Sequence, residues 1–331
     1  MYTPDTVRVP YRKLLAFTRA TFAEHGMPPD RAHTAAAALC YADLRGLAPH
    51  GLAELAHRYL PALTDGRADP GAEPEVLHET GACAHFDAHR ALGLWAASDA
   101  ADRAIDRALQ HGLGLVSVRN STPFGCAGVH ALRATRDGMI GLVASTGAHH
   151  LSGAGANPLG VAAPALDQRP FVLDLSAARQ PQDPGFPLVD HTGRHEVRWP
   201  GADPAADAAE GLGLVVPLLT AMLSGAATAD IGSSSGGATD FVVLALAPGV
   251  ICPGQDPAAT ARSLFSTLSP VPVVPQQPRT ERGTAHYPGW VEAERAAHAL
   301  HEGVPLSRDL HEELVSFGLD DAEQSLSPAS R

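Results

Sequence analysis

The run Arg45-Gly46-Leu47-Ala48-Pro49-His50-Gly51 sets a histidine in a glycine-flanked break between two helical patterns. An imidazole in such a break can hand a proton to a ligand in a cleft near neutral pH. A helix-end histidine bonded to a carbonyl is the competing reading, and the residues alone do not separate the two. Asp174 ends the apolar stretch Phe171-Val172-Leu173. A carboxylate there is costly unless it is paired. Pairing with a histidine would orient the ring and raise its pKa; capping of the Ser176-Ala177-Ala178 turn is the alternative.

Other candidates are weaker. Gly112-x-Gly114 precedes a strand pattern and does not open a helix, so it is in the wrong context for a dinucleotide fingerprint. Gly153-Ala154-Gly155-Ala156-Asn157-Pro158 is a tight, backbone-rich loop that can approach a phosphate closely or be a plain turn. His149 and His150 adjoin at a strand's end, where neighbours point to opposite faces, and no HExxH run occurs. No metal site is expected.

Composition narrows the chemistry further. Lys13 is the only lysine. It lies in a helical pattern away from any Gly-rich loop, which disfavours P-loop, Schiff-base and kinase-type lysines. The formal net charge of −12 would repel a phosphate backbone, so nucleic-acid binding is not expected. The four cysteines, Cys40, Cys83, Cys126 and Cys252, are widely spaced and form no CxxC pair. That fits a reducing compartment and a cytoplasmic location. No apolar run approaches the ~20 residues of a membrane span, and no secretory leader pattern opens the chain.

The elements that must carry these residues follow from periodicity. Residues 11–66 read as helices, broken at Gly26-Met27-Pro28-Pro29 with Asp30 as a cap, and a third helix runs from near Gly51 to near Gly66. From residue 75 strands and helices alternate. Strands are expected at Val76–His78, Ala84–Phe86, Gly114–Arg119, Met139–Ser145, Val161–Ala163, Phe171–Leu175 and Phe241–Ala247, the last most central. Helices are expected at Trp95–His111, Gly128–Arg136 and Leu212–Leu223, and two more between Trp290 and Phe317. Residues 177–207 read as loop, and a Pro-rich stretch covers Pro270–Pro278. The class is α/β.

Several segments together resemble the type 2 malate/L-lactate dehydrogenase family. Arg45–Gly51 is similar to its "RGIDSHG" turn, and His111–Gly125 to its "HGIGLVAVRNSNHFG" run. Asn157–Pro164 is similar to "TNPLAIAAP" and Phe171–Ser176 to "PFVLDMAT"; Tyr287-Pro288-Gly289 and Glu302–Leu306 echo the C-terminal pattern. The resemblance implies a non-Rossmann α/β fold in which N- and C-terminal helices pack as a second subdomain. That subdomain would comprise residues 1–74 and 290–318 around a central domain of 75–289, with 319–331 frayed. It also implies a homodimer that binds NAD or NADP and moves a hydride to or from a small 2-oxo/2-hydroxy acid or cyclic imine. His50 would be the acid/base and Asp174 its orienting partner. Arg45, Glu54, Asn120 and Ser121 would contact substrate, and Gly147, Asn157, Leu175 and Ser176 the cofactor.

The departures from that pattern are informative. Pro49 replaces the relay serine, and Pro123 replaces the histidine of "NSNHFG". Glu54 replaces an arginine that holds a substrate carboxylate, and Glu210 replaces the lysine of "GGYKGYGL". Attraction toward an anion becomes repulsion at both charged positions. Three expectations stay open: an oxidoreductase with a cationic or uncharged substrate; a redox-neutral cyclase, isomerase or lyase that uses His50 and has no cofactor; and a non-catalytic dimeric scaffold.

Overall fold

The computed structural model describes residues 6–146, 157–165, 169–177, 188–190, 196–197, 215–216, 218–225, 238–268 and 287–320. In chain order the strands are β1 (Thr6–Val9), β2 (Glu75–Thr80), β3 (Cys83–Asp87), β4 (Leu113–Ser121), β5 (Ile140–Thr146), β6 (Asn157–Ala163), β7 (Phe171–Ala177), β8 (Leu188–Asp190), β9 (Glu196–Val197), β10 (Thr239–Leu246) and β11 (Val304–Ser307). The helices are α1 (Tyr11–Glu24), α2 (Pro29–Arg45), α3 (Leu60–Thr64), α4 (Gly93–His111), α5 (Ala127–Ala131), α6 (residues 215–216 and 218–224), α7 (Pro248–Ile251), α8 (Pro257–Leu268), α9 (Trp290–Glu302) and α10 (Arg308–Ser316).

One large sheet runs in the order β2-β3-β4-β10-β5-β6-β7-β8-β9. Only β3 and β4 pair in parallel; every other neighbouring pair is antiparallel. The parallel pair is the one joined by a long helix, α4, because a parallel return needs a crossover. A mostly antiparallel sheet departs from the dinucleotide-binding arrangement, in which strands are parallel and helices cover both faces.

β10 lies between β4 and β5 and is buried along its length: Phe241, Val242, Val243 and Ala245 are each less than 5% exposed. Its continuous apolar run made it legible as a central strand. α4 lays an alanine-rich face (Ala97, Ala100, Ala101, Ala104 and Ala108, with Leu94 and Ile105) on this sheet. Small residues on that face let the helix approach closely, and Leu or Ile burial contributes about 1.5–3 kcal/mol per side chain. The same core continues through Leu14, Phe22, Leu39, Leu52 and Leu55 of the N-terminal segment.

A strand near the start of the described residues meets one near their end. β1 pairs antiparallel with β11, Val9 opposite Val304, outside the large sheet. α2 packs against α9 as well as against α1 and α4.

The structure amends the expected elements in four places, the first being α7 and α8, two helices between residues 248 and 268 where none was expected. The helix expected over Gly128–Arg136 is α5 followed by a 3₁₀ turn, Leu132–Asp137, closed by Gly138 at φ 71°. The short strands β8 and β9 fall within the expected 177–207 loop; two- and three-residue edge strands leave too little alternation to read. β1 and β11 were not anticipated either, each being only four residues long.

Candidate active site

The histidine turn is built from the end of α2. Gly46 takes the left-handed conformation (φ 78°), and the amides of Gly46 and Leu47 return to the carbonyls of Asp43 and Ala42. This is the doubly bonded helix ending that favours glycine. A single 3₁₀ turn, Ala48–His50, follows. Beneath it lies Asp43, whose Oδ2 accepts the Leu52 N–H at 2.7 Å. A Cβ on Gly51 would stand 2.0 Å from that same oxygen. Glycine at 51 is therefore a packing requirement: it lets the carboxylate reach across the turn. Burial drives the Asp43 carboxyl up to about 7, against the opposing pull of the Leu52 amide and its own backbone amide. His50, the last residue of this turn, is half-buried.

A cluster of ionisable groups lies behind it. Arg45 is 8% exposed, and its guanidinium carbon stands 4.9 Å from the centre of the Tyr41 ring. Arg45 Nη1 is buried with no hydrogen-bond partner among the described residues. Burial raises the Cys126 thiol well above its ordinary value; Asp174 and Asp43 raise it further, and Arg45 opposes them. Burial likewise raises the Tyr41 phenol, with Arg45 lowering it and Asp174 raising it. The fold thus brings Arg45 and Asp174, 129 positions apart in sequence, into electrostatic reach of one buried thiol.

Asp174 Oδ2 accepts the Gly128 N–H at 2.8 Å. The carboxylate thus bonds the first turn of α5; Ala178, in the turn after its own strand, lies outside the described residues. Gly128 permits this bond because it has no side chain: a Cβ there would lie 2.8 Å from Oδ2. Two residues on, His130 is fully buried. Its Nε2 donates to the Phe124 carbonyl at 2.9 Å, and its Nδ1 receives the Ser98 hydroxyl at 3.0 Å. Burial pushes its pKa down to about 4, so the ring is neutral at neutral pH.

The other residues expected to contact substrate are engaged within the fold as follows. Asn120, at φ 58°, donates its backbone amide to Asp240 Oδ1 and its side-chain amide to Asp87 Oδ1, both at 2.9 Å. Ser121 is buried, and its hydroxyl donates to the Ala91 carbonyl at 3.3 Å. Glu54 is ion-paired with Arg58, four residues along the π-helical turn Leu55–Tyr59. Position 54 therefore does not present an unbalanced negative charge. The expectation of a cationic or uncharged substrate, which leaned on Glu54, loses that support.

Of the assigned cofactor residues, Gly147 lies outside the described residues, as do Glu210, the His149-His150 pair and the Gly153–Ala156 loop. Asn157, Leu175 and Ser176 gather at one end of the β6–β7 pair: Asn157 faces Ala177, Pro158 faces Ser176 and Leu159 faces Leu175. Position in the chain did not reveal Asp43, Cys126, Asp87 or Asp240. A carboxylate near a helix end followed by a glycine-rich turn was the available signal for Asp43.

A family model described as malate/L-lactate dehydrogenase matches residues 9–182. A malate dehydrogenase of Pyrococcus abyssi is 34% identical over 183 residues, 53% of this chain and 50% of that protein. A 2,3-diketo-L-gulonate reductase of Escherichia coli is 29% identical over 136 residues, 41% of each. The aligned part thus spans half or less of these relatives' own length. The structure of a malate dehydrogenase from Pyrococcus horikoshii superposes with a TM-score of 0.77 at 24% identity, covering 96% of both chains. With the matched motifs, the non-Rossmann sheet and the pinned histidine turn in view, the chain belongs to the malate/L-lactate dehydrogenase family.

Proposed function

We propose that this protein is an NAD(P)-dependent oxidoreductase that interconverts a small 2-oxo acid or cyclic imine with its reduced form, at substrate and cofactor sites altered from the family pattern. The observation that carries this reading is the turn of His50. It is held by contacts within the chain itself, the Asp43–Leu52 bond and the exclusion of a side chain at Gly51. Such preorganisation is what proton transfer at a defined atom requires. His50 would give a proton to, or take one from, the substrate oxygen or imine nitrogen. Arg45 supplies a buried cation behind the turn, and Asn120 a polar edge. A bound nicotinamide would supply the hydride, with Asn157, Leu175 and Ser176 as its nearest assigned contacts.

Pro49 favours a second reading. With no hydroxyl beside His50 there is no serine to relay a proton, which suits a redox-neutral cyclase, isomerase or lyase that uses the histidine alone. The working form in either case would be a cytoplasmic homodimer. Exposed Leu218, Met222, Val250 and Ile251 on α6 and α7 are apolar surface of the kind a second copy would cover.

Titration with NADH and NADPH, followed by quenching of tryptophan fluorescence, tests the proposal, with oxaloacetate as the first substrate tried. Micromolar binding and turnover that is lost in His50→Ala are expected. Absent or millimolar binding would remove the oxidoreductase reading. Turnover without nicotinamide, still dependent on His50, would establish the second. Replacing His50 and Asp174 with no functional loss would leave only a scaffold.

A further inference from the structure

The Asn120 turn has an unusual backbone. Among the described residues, His89, Arg90 and Asn120 are the non-glycine residues with positive φ, at 49°, 64° and 58°. Such residues are uncommon, and they cluster where surrounding structure over-determines the chain. All three belong to one assembly: the Arg90 N–H donates to the Asn120 carbonyl at 2.7 Å, and the Ala88 N–H to the Arg119 carbonyl at 2.9 Å. The strand register breaks at the same place. Thr239 of β10 faces Ser121 and Phe241 faces Val118, so two residues of β4, Arg119 and Asn120, stand opposite the single residue Asp240. This is a β-bulge, a device that re-aims side chains and recurs beside active sites.

Two carboxylates hold the bulge. Asp87 accepts the Asn120 side-chain amide, the His89 N–H at 2.8 Å and Arg119 Nε at 2.9 Å. Asp240 accepts the Asn120 N–H through Oδ1 and the hydroxyl of buried Ser224, at the end of α6, through Oδ2 at 2.8 Å. The Asp240 carbonyl takes the Ser145 hydroxyl of β5 at 2.9 Å. Asp240 thus bonds to α6, to β5 and to the Asn120 turn at once. The loop that starts at this bulge reaches, six residues later, Cys126 beside Tyr41 and Arg45.

From this geometry we infer that Asp240 is a positioning residue: its carboxylate fixes the bulge and so sets the placement of Asn120 toward the substrate, and its bond to Ser224 ties α6 to that placement. The inference rests on the proposed reading of Asn120 as a substrate contact. It predicts that replacing Asp240 acts on substrate affinity through Asn120, without Asp240 itself touching the ligand.

The test uses the full chain with Asp240→Ala, Asp240→Asn, Ser224→Ala and Asn120→Ala. The first readout is hydrogen exchange of the segment 119–124 by mass spectrometry. The second is reduction of oxaloacetate by NADH. Asp240→Ala should speed exchange in 119–124 while segments from α1 and α2 match the wild type. It should also lower kcat/KM about 10- to 100-fold, mainly through KM, as expected for a contact displaced by about an ångström. Asp240→Asn keeps an oxygen that can accept the Asn120 amide and should stay within about threefold; Ser224→Ala should fall between the two. Unchanged exchange at 119–124 in Asp240→Ala would overturn the inference, as would an asparagine variant as impaired as the alanine one. If Asp240→Ala loosens 119–124 yet Asn120→Ala leaves turnover intact, the positioning stands and the reading of Asn120 fails. If the wild type does not turn over this pair, the exchange readout still decides whether Asp240 holds the turn.

Discussion

The His50 turn and the Asn120 turn are both pinned by a buried aspartate, and the two aspartates are held in opposite ways. Asp43 receives a backbone amide from Leu52 and sits against a glycine, with no cationic side chain among the described residues bonded to it. Burial therefore dominates and its pKa climbs to about 7. Burial also pushes the Asp87 carboxyl up. There, however, bonds from the His89 amide, the Asn120 side chain and the Arg119 guanidinium outweigh it, and its pKa is held below the ordinary value. The number and charge of the donors decide the sign, since desolvation works the same way on both. One turn is thus pinned by an acid that changes charge near neutrality, the other by a permanent anion.

The largest effect should come from Gly51→Ala. The added methyl carbon would stand 2.0 Å from Asp43 Oδ2, so the turn or the carboxylate must move. A loss of about 3 kcal/mol or more is expected in chemical denaturation. Asp43→Ala in the same chain makes room and should recover part of that loss. Strict additivity of the two changes would show that the contact is not the cause.

Asp43→Asn comes next, and its effect changes with pH. The folded chain holds the Asp43 proton to about pH 7, whereas the unfolded chain releases it near the ordinary carboxyl value of 3.8. Between those values the folded state binds more protons, so rising pH removes stability from the wild type. The asparagine variant lacks this loss. Its stability in chemical denaturation should gain on the wild type from about pH 4 to about pH 8, by an amount on the order of a few kcal/mol at the upper end. A constant difference across that range would mean that Asp43 is ionised throughout.

Asp87→Asn should run the other way. A carboxyl with a lowered folded pKa contributes stability above its unfolded value and loses it as pH falls through the folded one. The variant should cost about 1–3 kcal/mol at neutral pH, the range for a hydrogen bond to a charged group. The gap to the wild type should close in acid below about pH 4. An equal gap at pH 3 and pH 7 would assign the loss to geometry and not to charge.

The sequence shows the two turns unequally well. Arg45–Gly51 is readable because its glycines and proline break a helical pattern and local spacing carries the signal. Asp174 was readable as a costly charge at the end of an apolar strand, but not its partner: Gly128 is 46 positions away and becomes adjacent only when β7 packs against α5. The Asn120 turn depends still more on tertiary structure. Its bulge is set by Asp87 of β3 and Asp240 of β10, and neither lies near residue 120 in sequence. His130 was passed over for the same reason. Nothing around it in sequence says that its ring will be enclosed between Ser98 and Phe124. Long apolar or strongly periodic elements such as α4 and β10 were clear; strands of two to four residues such as β1, β8, β9 and β11 were not.

The smallest effect on stability, and the sharpest on the question of substrate charge, should come from Arg58→Ala. Glu54 and Arg58 form a partly exposed pair one turn apart, and such pairs contribute about 0–1 kcal/mol. Thermal unfolding should therefore barely change. Removing the arginine, however, leaves the Glu54 carboxylate uncompensated on the segment just past His50. If that face receives an anionic substrate, KM for oxaloacetate should rise several-fold with kcat little changed, and the rise should shrink in high salt as the charges are screened. Glu54→Gln should move KM the other way, because it frees the Arg58 guanidinium to meet the anion. The two variants shift the local charge in opposite directions, by −1 and by +1, and their expected effects on KM are opposite for that reason. Identical KM values in both, at low salt, would mean that the 54–58 pair lies away from the bound substrate and that the family's arginine position has been vacated without consequence for binding.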